Sequence, residues 1–427
     1  MPVNIIVGAQ CGDEGKGKVV DYIAQENDVI IRFQGGDNAG HTVVNHYGTF
    51  KLHLIPCGIF NPNAISLIGT GMVVNPNVVL SEIDQLQTAG VNVSNLRISD
   101  RAHILMPYHR DLDSLKEQDD TIGVQHIGTT KRGIGPAYAG RANRINIRFG
   151  DLKDPHYVRQ ILQSIIPQIN HQLSYFGGTP YDVDTLCDLC NNWYQKLGKY
   201  IINALDFVHS QLSENKNILF EGQLGIMKDL DLGTYPYVTS SNPIAAYAMV
   251  SAGIPLKKVT KIIGVAKAFS SQVGAGPFPT ETKDAIFDSL RGTGKNIDDE
   301  FGARTMRPRR LGWLDIPVLK FANMINGFDE LVICKLDKLD YLKEIKICFA
   351  YEYEGRIIES FTDTTILDKV KPIYETLPGW QSPTTNISSF DDLPDNAKKY
   401  ICYIEKLVGV PISYIGVGPS RNDIIYR

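Results

Sequence analysis

Gly12-Asp13-Glu14-Gly15-Lys16-Gly17-Lys18 has the GxxxxGK spacing of a phosphate-binding loop, with Val19 where a hydroxyl residue usually follows. Glycines let backbone N–H groups turn onto phosphate oxygens, and a helix N-terminus adds partial positive charge. Lys16 and Lys18 can add full charges. The missing hydroxyl removes the usual Mg²⁺ ligand, and Asp13 inside the loop is the replacement. An acid beside a triphosphate is costly unless it binds metal or moves a proton, so Asp13 is also a candidate for catalysis.

Two further loops extend this chemistry. Gln34-Gly35-Gly36-Asp37-Asn38-Ala39-Gly40-His41 has four small residues that allow close backbone approach to a ligand. His41 at its end can donate a proton or hydrogen bond near neutral pH, giving an Asp13/His41 acid–base pair on neighbouring strand ends. His53 lacks such flanks and reads as structural. Lys335-Leu336-Asp337 follows the apolar run Leu331–Cys334. An aspartate there can accept from guanine N1–H and the 2-amino group together, a donor pair adenine lacks, which selects GTP over ATP. Gly416-Val417-Gly418-Pro419 can wall the other side of the base.

The remaining constellations exceed the needs of one nucleotide. Gly128-Thr129-Thr130-Lys131-Arg132-Gly133-Ile134-Gly135-Pro136 joins hydroxyls, cations and small residues, a grip for a phosphate monoester. Arg141 and Arg144 follow at an expected helix start. Gly233 to Asn242 is a polar loop carrying Thr239, and Arg304 to Arg310 concentrates four arginines suited to carboxylates and phosphates. A second phosphorylated substrate and an acidic one would use them.

These loops need a scaffold that presents strand ends. Asn4–Val7, the glycine loop Gly8–Gly17, a helix from Lys18 to Gln25 and a strand Val29–Phe33 read as a βαβ unit and predict a parallel sheet. Ile65–Ile68, Ile218–Phe220, Val259–Val265, Leu331–Cys334 and Ile412–Ile415 read as further strands, with amphipathic stretches at Pro155–Gln172 and Asn192–Leu212. Strands from both ends serve one sheet. The prediction is therefore one α/β domain over residues 1–427: a large, mostly parallel central sheet with flanking helices, long insertions and a P-loop-like nucleotide site.

The 427 residues carry a formal net charge of -4, so there is no overall basic field for nucleic acid. No apolar stretch approaches the ~20 residues of a membrane span. The seven cysteines are irregularly spaced, and the CxxC pair Cys187/Cys190 lacks a second pair or nearby His, so it reads as structural rather than zinc-binding. Reduced thiols and the absence of a signal-peptide pattern point to the cytoplasm.

The motif set resembles the adenylosuccinate synthetase family over nearly the whole chain. QCGDEGKGK, QGGDNAGH, HLIPCGI, IGTTKRGIGPAY, GTYPYVTSSN, VGAGPFPTE, RPRRLGWLD, KLD, PIYETLPGW and GVGP carry the resemblance. It implies a homodimeric ligase that makes adenylosuccinate from IMP and L-aspartate through a 6-phosphoryl intermediate, converting GTP to GDP and phosphate. Asp13 then matches the family's base and His41 the donor to the 6-oxygen, with Asp13 and the carbonyl of Gly40 holding Mg²⁺. Gly12, Glu14, Gly15, Lys16, Gly17, Lys18, Arg309, Lys335, Leu336, Asp337, Gly416, Val417 and Gly418 match the GTP site. Asn38, Ala39, Thr130, Thr239 and Arg307 match the IMP site, with Arg144 supplied by the partner subunit, and Ala303, Arg304, Thr305 and Met306 match the aspartate loop.

The sequence departs from the family pattern around the second and third substrates. Cys11 stands for a usual tryptophan, Leu224 for an amide that Gln223 could replace by shifting, Arg141 for a lysine and Gln272 for an arginine. Arg304 and Met306 stand for threonine and glycine in the aspartate loop. Two alternatives follow: a divergent paralogue using the same activation on another nucleotide such as dGMP, or another amine donor, and a non-catalytic GTP-binding module.

Overall fold

The structure is a computed structural model describing residues 2–118, 127–302 and 306–427. Its centre is a ten-stranded sheet. In chain order the strands are β1 (Val3–Gly8), β2 (Val29–Arg32), β3 (Ile65–Ile68), β4 (Leu96–Ser99), β5 (Ile201–Ile202), β6 (Ile218–Gly225), β7 (Lys261–Lys267), β8 (Glu330–Cys334), β9 (Ile412–Gly416) and β10 (Ile424–Tyr426). They lie in the order β10-β9-β8-β7-β1-β6-β2-β3-β4-β5, and only the β9–β10 pairing is antiparallel.

Alternation along β1 explains why it lies at the centre. Val3, Ile5 and Val7 enter the core on one face, and Ile6 enters the core on the other. Burying each such side chain contributes roughly 1.5–3 kcal/mol, and a strand apolar on both faces is stable only between layers. The chain travels outward from β2 to β5, returns to β6 beside β1, then builds β7 to β10 on the other flank. This reversal next to β1 creates a crevice at the carboxyl ends of the strands, where ligands bind in such sheets.

Element positions differ from the sequence expectations at three places. Helix α1 spans Lys16–Ile23, starting inside the glycine loop because Gly15 adopts a left-handed conformation at its N-cap. The expected helix Asn192–Leu212 is two helices, Val183–Leu197 and Ala204–Ser213. The break falls after Gly198, where β5 joins the sheet edge and the Asn203 side chain caps the next helix by accepting from the Asp206 N–H. Arg141 and Arg144 lie at the end of a helix, not its start: left-handed Gly133 caps the N-terminus of Ile134–Asn143, and Arg144 is its C-cap. A separate antiparallel pair, Glu344–Tyr353 with Lys371–Pro378, has no counterpart in the expected strands.

Candidate active site

The phosphate loop runs from β1 into α1. Gly12 and Gly15 have φ of 102° and 97°, and Asp13 between them has 58°. Glycine enters this region without strain, whereas an aspartate must be held there by its surroundings. Glu14 supplies the brace: fully buried, it accepts from Gln10 N at 3.1 Å and Gly12 N at 2.8 Å and pairs with Lys16. Its carboxylate thus points into the protein, so only the backbone of Glu14 is left to meet a phosphate. Gly17 permits α1 to lie on the following hairpin, because a Cβ there would stand 2.8 Å from His41 Cβ. Lys18 Nζ donates to Gly418 O at 2.6 Å and Asp423 O at 3.3 Å, tying α1 to the C-terminal loop.

His41 opens the hairpin that follows the second loop. Its Nδ1 lies 2.5 Å from Glu221 Oε1 on β6, and the other Glu221 oxygen accepts from Cys57 N at 2.7 Å. Arg32 Nη1 stands 4.0 Å from the same carboxylate. Burial raises the Glu221 pKa, but His41 and Arg32 outweigh it and hold the group below the usual carboxylate range. Burial and then Arg32 push the His41 pKa down against the pull of Glu221. Nε2 of His41 is buried without a hydrogen-bond partner among the described residues. His41, Cys57 and Glu221 have metal-ligand composition and converge within 4.8 Å. Each is already engaged by the others, with a guanidinium beside them, so the group acts as an orienting chain for the ring.

A second buried network crosses the loop. Glu300 accepts from Lys267 Nζ at 2.6 Å and Arg309 Nη1 at 2.9 Å, and also pairs with Lys335. Arg309 Nε donates onward to Asp13 Oδ2 at 2.9 Å. Burial raises the Asp13 pKa, but Arg309, then Lys267 and Lys16, outweigh it and keep the carboxyl below its usual value. Burial, offset in part by Glu300, lowers the Lys267 pKa to about 8. Asp337 Oδ1 is buried without a partner among the described residues, as a group reserved for a ligand would be.

Two cavities meet over this chemistry. The smaller, about 270 Å³, is lined by the phosphate loop, His41, Arg309, Lys335 and Gly418. The larger, about 450 Å³, is lined by Asn38, Thr130, Thr239 and Arg307, with Gly12 of the phosphate loop. Asp13, Ala39, Gly40 and Leu224 line both. A carboxylate at the junction can therefore act on groups in either cavity.

Most of the expected site residues are thus gathered on one crevice, but not all. Met306 lines the smaller cavity, whereas Ala303, Arg304 and Thr305 lie outside the described residues. Leu336 and Val417 are fully buried in the core, so they can offer only backbone to a ligand. Arg144 is exposed and lines neither cavity. Gln223 does not stand in for an amide at Leu224. It accepts from Arg32 at 2.9 Å and donates to Asn38 Oδ1 at 2.7 Å, bracing the second loop from behind. Leu224, at φ 61°, takes the cavity wall instead.

Sequence reasoning missed Glu221, Lys267 and Glu300, because each gains meaning only through partners on other strands. His53 is structural as expected, and its Nδ1 lies 2.8 Å from Ala39 O, where it fixes the second loop. Cys187 and Cys190 are buried in the core, unpaired, in keeping with a packing role.

A P-loop-like strand-to-helix turn and two cavities that share a carboxylate fit a nucleotide-dependent α/β enzyme that couples phosphoryl transfer to a second substrate. The adenylosuccinate synthetase family model matches residues 5–425. An adenylosuccinate synthetase 1 of Methanosarcina acetivorans is 67% identical over 427 residues, covering 100% of both chains. A fully ligated adenylosuccinate synthetase from Plasmodium falciparum superposes with a TM-score of 0.92 at 38% identity, covering 100% of both chains. The chain belongs to the adenylosuccinate synthetase family, whose members are C–N bond-forming ligases. A cyanophage S-2L succinoaminodeoxyadenylate synthetase, solved with dGMP and dATP, matches at TM-score 0.62 but only 18% identity, over 100% of this chain and 95% of its own. That likeness is one of fold alone, and the dGMP alternative is not favoured. No helix among the described residues is long and apolar enough to cross a membrane.

Proposed function

We propose that the two cavities divide one GTP-dependent ligation of IMP and L-aspartate, with GTP in the smaller cavity and IMP in the larger. The observation that carries this division is the junction: Asp13 and Gly40 line both spaces. Asp13 takes the N1 proton of the hypoxanthine ring, which makes the 6-oxygen nucleophilic toward the γ-phosphorus. His41 donates from Nε2 to that oxygen. The ring is neutral when the cavity holds no anion, and a triphosphate beside Nε2 raises its proton affinity. The γ-phosphoryl group moves to the 6-oxygen, GDP leaves, and the amine of aspartate then displaces phosphate to give adenylosuccinate. Lys16 and the N-terminus of α1 hold the phosphate chain, and Lys335 and Asp337 hold guanine.

Asp13 and the Gly40 carbonyl are the metal ligands in this reading. Hard oxygens, one from a carboxylate kept ionised, suit Mg²⁺, which would neutralise charge on the phosphates. Arg309 must then leave Asp13 for the GTP phosphates. Arg144, exposed at a helix C-cap, serves the acceptor cavity of the partner subunit in a homodimer. All seven cysteines are unpaired, as a reducing cytoplasm favours, and the residues 1–427 act as one domain in this reading.

The test is to incubate purified protein with GTP, Mg²⁺, IMP and L-aspartate, following phosphate release and product mass, with each component omitted in turn. The reading expects product at the mass of adenylosuccinate that requires all three substrates. Phosphate release without IMP, or product only when dGMP replaces IMP, would overturn it.

A further inference from the structure

Lys228 belongs to none of the expected substrate contacts, yet it lines the larger cavity. It ends the short turn Ile226–Lys228 directly after β6, four residues beyond Leu224. Its Nζ donates to Tyr237 O at 3.0 Å. Its own carbonyl accepts from Thr239 N at 2.9 Å, so the residue is fastened to the loop that carries Thr239. Among the described residues no carboxylate lies within 4.0 Å of this ammonium, whereas Lys16, Lys267, Lys335 and Arg309 each have one. Burial lowers its pKa, which marks a cation short of counter-charge. Such a group is costly unless a ligand supplies an acceptor.

The neighbouring wall has little else to offer. Leu224 presents no polar side-chain atom. The Gln272 amide donates to Ala275 O at 2.7 Å and accepts from the Cys11 thiol at 3.6 Å. The Arg310 guanidinium is held by Glu281 and by the carbonyl of Gly276. Lys228 is thus the available donor on this side.

We propose that Lys228 is a specificity-determining anchor for the acceptor nucleotide, donating to an oxygen or ring nitrogen of the bound monophosphate where Leu224 cannot. This rests on the assignment of IMP to the larger cavity. Attachment to the Tyr237–Thr239 loop selects the nucleotide over the amino acid, which is expected on the segment 303–306.

The experiment compares wild type with Lys228→Met and Lys228→Arg by steady-state kinetics, varying IMP, GTP and aspartate separately. In Lys228→Met the KM for IMP should rise roughly tenfold or more, the size of one charge-assisted bond, while kcat and the KM values for GTP and aspartate change little. Lys228→Arg should recover part of the loss. An unchanged KM for IMP in a folded variant, or a rise confined to aspartate, overturns the proposal. If Lys228→Met fails to fold, Lys228→Gln carries the same test. Wild type that makes no adenylosuccinate overturns the reading beneath it, an outcome distinct from any effect of the variants.

Discussion

The two cavities that meet at Asp13 handle charge in opposite ways. On the smaller side the protein has neutralised itself: Glu300 collects Lys267, Arg309 and Lys335, Glu14 holds Lys16, and Asp13 holds Arg309. A triphosphate entering there must trade for cations already in use, so binding and rearrangement are one event. On the larger side Thr130, Thr239 and Asn38 present neutral polar groups, the carboxylates Asp113 and Glu117 accept from the backbone N–H groups of Gly133, Gly128 and Thr129, and among the described residues no carboxylate lies within 4.0 Å of Lys228. That side is built to receive charge directly. The difference implies an order of control. On the proposed assignment, specificity in the larger cavity comes from static contacts, whereas the smaller one converts occupancy into a change of partners around Asp13.

The largest effect should come at the point the cavities share. On the proposed mechanism Asp13→Asn removes the proton acceptor and weakens the metal site, and kcat for adenylosuccinate formation should fall by about 10³-fold or more. A fall of less than tenfold in the product assay would remove Asp13 from the chemistry and leave the cavities without a common reacting group. Glu300→Gln probes the self-neutralised side. Three cations would then surround a neutral amide, and denaturant unfolding should report a loss of roughly 3–5 kcal/mol. A negligible loss would mean that the cluster is solvated and that the contrast with Lys228 is weaker than the geometry implies. The smallest effect is one of pH. Lys267 is protonated below about 8 and loses its charge above it, and Glu300, Arg309, Lys335 and Asp13 all feel the change. The KM for GTP should rise a few-fold as pH passes through this range, and Lys267→Arg, which keeps its charge, should flatten the rise. A profile identical in the variant would separate Lys267 from GTP binding.

What could be read from the sequence was what lies contiguous in it. The phosphate loop, the second loop and the KxD segment each place their chemistry within a few residues of a strand end, so the crevice and the parallel sheet were both legible. Partners across the sheet were not. Glu221 orients His41 from 180 positions away, and Glu300 reaches Lys267 and Lys335 at separations of 33 and 35. No local pattern announces a carboxylate whose role is to hold another side chain. The same limit explains Glu14, which looks like a ligand contact by its place in the loop but turns inward because Gln10 and Gly12 offer it their N–H groups. Conformation misled at Arg144, where an early helix start at left-handed Gly133 moved two arginines to the far end.

The central position of β1 has a consequence for how the molecule is made. Val3 pairs with Ile218 and Asn4 with Lys261, so β1 is synthesised more than 200 residues before either of its neighbours. Until then its apolar edge is unpaired, a template for association with other nascent chains. The phosphate loop that follows has no floor in that interval, and Lys18 waits for Gly418, 400 residues further on. Synthesis therefore delivers the nucleotide site all at once and late, with closure of long loops rather than local turns setting the pace.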